Sequence, residues 1–181
     1  GAQATQFLAD CGAEVIMVEP PDGSPLRELA GWPALLRGKR SVTLDLHDDA
    51  DLERLRALLR RADVMVHTMR PTTAARIGLT NDALSNAYPR LVVATITGWG
   101  STGPFRDYKG WEALVMAKTG VMHEKRGLAP RPGPAFTTFT YASWGAAHAA
   151  VQGVLAALLE RETSGRSQTV ETNLVTGMGS M

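Results

Sequence analysis

The stretch LVVATIT, residues 91–97, decides the fold. Every position is apolar or threonine and β-branched side chains dominate, with no alternation that would leave one face in water. A short run of this kind reads as a strand covered on both faces, which is the signature of a parallel sheet. Parallel neighbours need crossover connections, so helices must lie on either side of it.

The chain upstream supplies them. DVMVH (63–67) reads as the preceding strand, and TNDALSNAYP (80–89) as a short helix between the two, capped by Thr80 or Asn81 and stopped before Pro89. HDDADLERLRALLRRAD (47–63) has Asp at its start, Arg at its end and Leu at 52, 55, 58 and 59, a helix with one inward face. SVTLDL (41–46) and EVIMVE (14–19) read as two more strands, and residues 3–11 as a helix that Gly12 ends in the left-handed region. PPDGSP and PRPGP read as turns, and LRELAGW carries no clear pattern. Downstream, residues 142–162 form one long helical pattern, and TNLVTGMGSM falls inside another. The whole spells a doubly wound α/β domain over residues 1–181: a Rossmann-like parallel sheet with helices on both faces. With no strand before the first helix and a helical pattern at the end, the chain reads as a portion of a larger protein.

Composition narrows the partners. A chain of 181 residues with 44% hydrophobic content suits one domain with a sizeable core. Nineteen Lys plus Arg against 18 Asp plus Glu leave no bulk charge for nucleic acid or an anionic membrane, so an anionic ligand must meet a local cluster. Cys11 is the sole cysteine, which excludes an internal disulfide, makes no cysteine metal site, fits a reducing compartment and reads as buried filler. His47, His67 and His123 show no metal-ligand spacing, so no metal is expected. No apolar run of membrane-spanning length and no signal peptide stand out, and a soluble, cytoplasmic protein is expected.

In such sheets ligands sit beyond the carboxyl ends of the strands, which singles out EPPDGSPLR, HTMRP and TGWGSTGP. LLRGKRS (35–41) alone would be a solvated charge run; beside Arg27, Arg70 and Arg76, which the sheet should gather at one edge, Arg37, Lys39 and Arg40 become a positive site suited to phosphates. TGWGSTGP (97–104) matches neither phosphate-binding glycine motif and serves equally as a tight turn or a ligand loop. Small residues at 142, 145, 146, 149, 150 and 153 fit close helix packing or close ligand approach, and His148 reads as a packed histidine.

The order of FLADCGAEVIMVEPP, LLRGKRSVTLDL, ADVMVHTMRP with RIGL, NAYPRLVVATITGWGSTGP, YKGWEAL and GVLAALLERETSGRSQTVE resembles the class III CoA-transferase family, also called CaiB/BaiF, over nearly the whole chain. That resemblance implies a large domain that binds coenzyme A within a protein about twice this length, forming an interlocked homodimer, or a heteromer with an active homologue. Members move CoA between carboxylic acids, and a related branch epimerises 2-methylacyl-CoA thioesters. Acyl-CoA and a small carboxylic acid would be the substrates. By position, the CoA contacts fall on Arg27, Leu36, Lys39, Thr68, Met69, Arg70, Arg76, Ile77 and Lys109, with Thr68-Met69-Arg70 standing where the family usually has Asn-Phe-Arg.

The transferases use an Asp carboxylate as nucleophile, and by resemblance that Asp falls on Ser143, or with a one-residue slip on Ala142. In the racemase branch the expected His would coincide with Trp111. The nearest acids are Glu112 and Glu124; Glu112 matches a separate acidic position, and no base is expected beside Ser143. Three readings follow: a transferase working through Ser143 or a group outside this portion, a non-catalytic CoA-binding half of a heteromeric or tandem transferase, and a drifted α/β domain that binds no CoA; a racemase-like enzyme is a further alternative.

Overall fold

The computed structural model describes residues 1–180. Helix α1 (Ala2–Asp10) leads into strand β1 (Val15–Glu19), and a 3-10 turn at Pro25–Glu28 with helix α2 (Trp32–Leu36) carries the chain to β2 (Lys39–Thr43). Next come α3 (Asp49–Leu59), β3 (Val64–His67), α4 (Pro71–Arg76), α5 (Asn81–Ala87) and β4 (Val92–Thr97). After α6 (Glu112–Lys118) and α7 (Val121–Glu124), the long α8 (Tyr141–Ser164), β5 (Thr169–Asn173) and α9 (Leu174–Gly179) complete the order.

All paired strands are parallel, as the apolar run at 91–97 requires. Hydrogen bonds divide them into two ladders, β1–β2 and β3–β4–β5, with Glu19 opposite Thr43 and Thr97 opposite Asn173. One core joins the ladders, for Val18 and Val42 pack with Met65 around Leu55, Leu59 and Leu84. Helices cover both faces, and β4 shows it residue by residue. Val93 belongs to the cluster with α3 and α5, whereas Val92 and Ala94 pack with Val154 and Ala157 of α8, and Ile96 with Ala4 of α1 and Ala146 of α8. A strand buried at all its positions has no solvent face on which a polar alternation could appear.

Helix α8 runs for 24 residues and stops at Gly165, whose φ of 73° places it in the left-handed region. Contrary to the expectation of no membrane-length segment, it is long and apolar enough to cross a membrane. Eight of its residues are buried, against α1, α9 and the β3–β4–β5 ladder, while Leu155 and Leu159 stay exposed. The small residues are needed for that packing. A Cβ on Gly145 would collide with the Gly177 carbonyl, and one on Gly177 with the backbone of Ala142 and Ala146. At its far end the buried Arg161 donates to the Arg90 carbonyl and to Asp63 Oδ1, both at 2.8 Å, tying α8 to the entries of β3 and β4.

Four details differ from expectation. Strand β2 starts at Lys39, ahead of residue 41, because pairing with Val15 sets its register, and the Leu44 amide extends the ladder to the Glu19 carbonyl. Strand β5 has no counterpart in the sequence pattern, since TVETN offers no apolar run; it lies at the edge of its ladder, paired to β4 alone. LRELAGW, which lacks a clear pattern, folds into the 3-10 turn that Ser24 caps and the start of α2. Cys11 is not buried filler but exposed, because it is the C-cap residue of α1, where its amide is held by the last turn and its side chain faces outward.

Candidate active site

The carboxyl end of β1 carries a fixed ion pair. Glu19, 3% exposed, accepts from Arg27 Nε and Nη2 at 2.7 and 2.6 Å, from the Ser24 amide at 3.1 Å and from the Ser41 hydroxyl. The Arg27 guanidinium pulls the Glu19 carboxyl down to about 2, against the burial that opposes it. Such a fork geometry holds Arg27 in one orientation, with its remaining N–H groups turned away from Glu19 and its carbon over the Trp32 ring at 5.7 Å.

Lys39 reaches the first turn of α1, where its ammonium donates to the Ala2 carbonyl at 2.6 Å and to Thr5 Oγ1 at 2.9 Å. Burial pushes this ammonium down to about 8. Thr68, just past β3, lies against the same turn, 3.0 Å from where a Cβ on Gly1 would stand. Lys39 and Thr68 thus both border the first turn of α1, and Leu36, half-buried, ends the helix that precedes Lys39. The expected cluster of bare cations is otherwise broken up: Arg37 pairs with Asp10 and Arg40 with Glu14, as Arg27 does with Glu19. Arg37 and Arg40 acquire carboxylates from the end of α1 and the residue before β1, whereas Lys39 between them meets a carbonyl and a hydroxyl.

Beyond β3, Met69 and Ile77 are half-buried on the α3–α5 core cluster, and Thr68 and Arg70 on either side of Met69 are exposed. His67 sets the loop's start. Its buried ring accepts from the Met69 amide through Nδ1 at 3.3 Å, so Nε2 carries the proton toward Thr95 Oγ1 at 3.1 Å, and Thr95 donates to Asn81 Oδ1 at 3.0 Å. Burial lowers the His67 pKa. Arg70 donates to the Asp107 carbonyl at 3.0 Å, tying this loop to the one beyond β4, whereas Arg76 is exposed in the last turn of α4.

The loop beyond β4 is built as a tight turn. Gly98 and Gly110 cross with backbones in contact, so that a Cβ on either would strike the other's Cα. Glu171 of β5 accepts from the Ser101 amide at 2.7 Å and its hydroxyl at 2.8 Å, and Trp99 Nε1 donates to the Lys109 carbonyl at 3.3 Å. The Lys109 ammonium lies 4.9 Å above Trp111, an indole 64% exposed. The glycine crossing delivers Glu112, first residue of α6, to the start of α8.

There the structure supplies what the sequence pattern lacks. Glu112 Oε1 accepts from the Ala142 amide at 2.7 Å, and Oε2 accepts from the Ser143 amide at 2.9 Å and the Ser143 hydroxyl at 2.6 Å. The expectation that no acid or base adjoins Ser143 is thus corrected. Thirty-one positions of sequence separate the pair, and the Gly98–Gly110 crossing holds the backbone two residues before Glu112 against the end of β4. His148, one face away, is exposed beside Phe7 and Trp144, with ring centroids 4.9 and 5.8 Å distant. Among the described residues no three His, Cys, Asp or Glu side chains gather as a metal site.

Comparison with known proteins fits this geometry to a family. The chain is 38% identical over 179 residues to formyl-CoA:oxalate CoA-transferase of Streptomyces avermitilis, covering 94% of this chain and 43% of that protein. It is 33% identical over 181 residues to the succinyl-CoA–L-malate CoA-transferase beta subunit of Chloroflexus aurantiacus, covering 93% and 44%. The crystal structure of Rv3272 from Mycobacterium tuberculosis superposes with a TM-score of 0.89 at 34% identity, over 99% of this chain and 51% of that one. The chain thus spans about half the length of the relatives it matches. The family model described as CoA-transferase family III matches residues 1–181 from end to end, and with relatives this similar across it, the chain belongs to that family.

Proposed function

We propose that this chain is the large-domain portion of a CoA-transferase that moves CoA from an acyl-CoA to a small carboxylic acid. The observation that carries the reading is the meeting, beyond the carboxyl ends of β3 and β4, of three segments: the Thr68–Arg70 loop, the Lys109–Trp111 turn and the Glu112–Ser143 contact. Arg27, Lys39, Arg70, Arg76 and Lys109 are cations suited to the phosphates of CoA, and Met69, Ile77 and Leu36 offer apolar surface to its adenine or pantetheine. Thr68 is an exposed hydroxyl-bearing residue whose methyl group lies against the first turn of α1.

A second reading has its own support. Ser143 stands where the family resemblance expects an Asp, and one relative is named a beta subunit. The chain would then be the CoA-binding half of a heteromer whose partner performs the chemistry. A self-associating dimer is the arrangement for the first reading, and a reducing, aqueous compartment suits both. The racemase-like alternative has less support, because Trp111 occupies the position where that branch would need His.

The test is a transfer assay on the full-length protein, alone and with any co-expressed homologue, using acyl-CoA donors and dicarboxylic acceptors and following both thioesters by chromatography. Transfer by the protein alone supports the first reading, and transfer only with the homologue supports the second. Epimerisation of a 2-methylacyl-CoA without transfer would replace both.

A further inference from the structure

We infer that His67 is a positioning residue for the coenzyme A loop: its neutral ring holds Thr68, Met69 and Arg70 in place, and protonation of that ring releases them. This rests on the CoA-binding reading above and adds to it the group that shapes the loop, with a dependence on acid.

The geometry carries the assignment. One run of hydrogen bonds joins the loop to β3, β4 and the start of α5: the Met69 amide donates to His67 Nδ1 at 3.3 Å, His67 Nε2 to Thr95 Oγ1 at 3.1 Å, and Thr95 to Asn81 Oδ1 at 3.0 Å. Its direction is fixed from both ends. An amide N–H only donates, so Nδ1 must be the nitrogen with the lone pair; Asn81 Oδ1 only accepts, so Thr95 uses its one proton there and accepts from Nε2. The neutral ring protonated on Nε2 is the form that satisfies every member. Beyond this run, the loop is anchored by the Met69 side chain on the core cluster and by the bond from Arg70 to the Asp107 carbonyl.

A proton added at Nδ1 would set two N–H groups against each other, breaking the bond to the Met69 amide, and would place a charge among buried side chains. No carboxylate stands by to steady it. Thr95 of β4 and Asn81 at the start of α5 are uncharged, and Arg70 and Asp82, the charged residues nearest in sequence to His67 and Asn81, are exposed. On the α1 side of Thr68, the Lys39 ammonium is taken up by the Ala2 carbonyl and Thr5 Oγ1. Burial accordingly holds the His67 ring below its ordinary pKa, which keeps the loop closed at neutral pH. As pH falls through the folded value, the loop loses its amide bond, and a ligand that needs the closed loop binds more weakly.

Two substitutions in the full-length protein separate the roles of the two ring nitrogens. His67→Asn places a carbonyl oxygen where Nδ1 stands, able to accept from the amide two residues on but unable to titrate, whereas His67→Gln reaches toward Thr95 and offers the Met69 amide nothing. In calorimetric titrations with coenzyme A between about pH 7.5 and about pH 5, the unaltered protein should lose about threefold more affinity than His67→Asn, which carries the ligand's own protonation. His67→Gln should bind about fivefold more weakly than either at the higher pH. Hydrogen exchange of the Met69 amide at that pH, without ligand, should be slow in the unaltered protein and in His67→Asn, and fast in His67→Gln. An equal acid loss in the unaltered protein and His67→Asn, or His67→Gln matching the unaltered protein in affinity and exchange, would overturn the assignment. Should no form bind CoA, the CoA-binding reading falls, and the exchange pattern alone decides whether His67 holds the loop. If a variant misfolds, imidazole nitrogen shifts of the unaltered protein decide: the Nε2-protonated ring is expected, and a ring protonated on Nδ1 at neutral pH contradicts the assignment.

Discussion

The Ser143 hydroxyl donates to Glu112 Oε2 across 2.6 Å, while the amides of Ala142 and Ser143 donate to the same carboxylate. A residue that begins one helix therefore caps another. No side chain of the Thr140 N-cap performs that task for α8, so the long helix depends on Glu112 for its first turn.

Replacing Glu112 by Ala should therefore lower stability by about 1 to 2 kcal/mol, as a lost cap with stranded amides does. Glu112→Gln keeps an acceptor and should lose less. Urea unfolding of the two variants, with unchanged slopes, measures the difference.

Glu19 makes stability depend on acid. Its folded pKa, about 2, lies below the ordinary 4.5, so its stabilisation is complete above about pH 4.5 and is lost as pH falls toward 2. In Glu19→Gln that part of the acid transition should vanish, and the variant should be less stable at neutral pH because the Arg27 fork loses its charge partner. Thermal melts between pH 2 and 7 show whether the two curves converge at low pH, as they must.

Lys39 titrates in the opposite sense. With its ammonium at about 8 against an ordinary 10.5, the folded protein loses this proton first, so stability rises with pH between these values. Affinity for an anionic ligand at Lys39 should fall over the same rise. CoA titrations at pH 7 and 9 should show a weakening that Lys39→Arg abolishes.

The Gly145–Gly177 crossing leaves no room for a methyl group. Gly145→Ala or Gly177→Ala should cost about 1 to 3 kcal/mol by overpacking, and more if α9 separates from α8. Either loss should appear as a lower melting temperature, whereas Gly127→Ala, with open space around it, should leave it unchanged.

How much of this is legible in the sequence follows from distance along the chain. β1, β3, β4 and α8 announce themselves by local patterns: the apolar runs mark the strands, most fully in β4, which is buried at every position, and Gly12 and Gly165 lie at helix ends. The edge strand β5 does not, because its Thr, Glu and Asn residues satisfy no core. The site is legible only in pieces. Arg27 and Glu19 lie eight residues apart, within reach of a local pairing, but Glu112 reaches Ser143 through a crossing of two glycines that nothing local reveals. The empty carboxylate position at 143 is visible in the sequence, and the side chain that comes to it is not.

The most direct measurement is isothermal titration of the full-length protein with coenzyme A. Saturable binding, weakened when Arg27 or Lys39 is replaced by Ala, is the result that a CoA-binding domain requires. A flat titration of the folded full-length protein would contradict the central claim that these strand ends receive CoA.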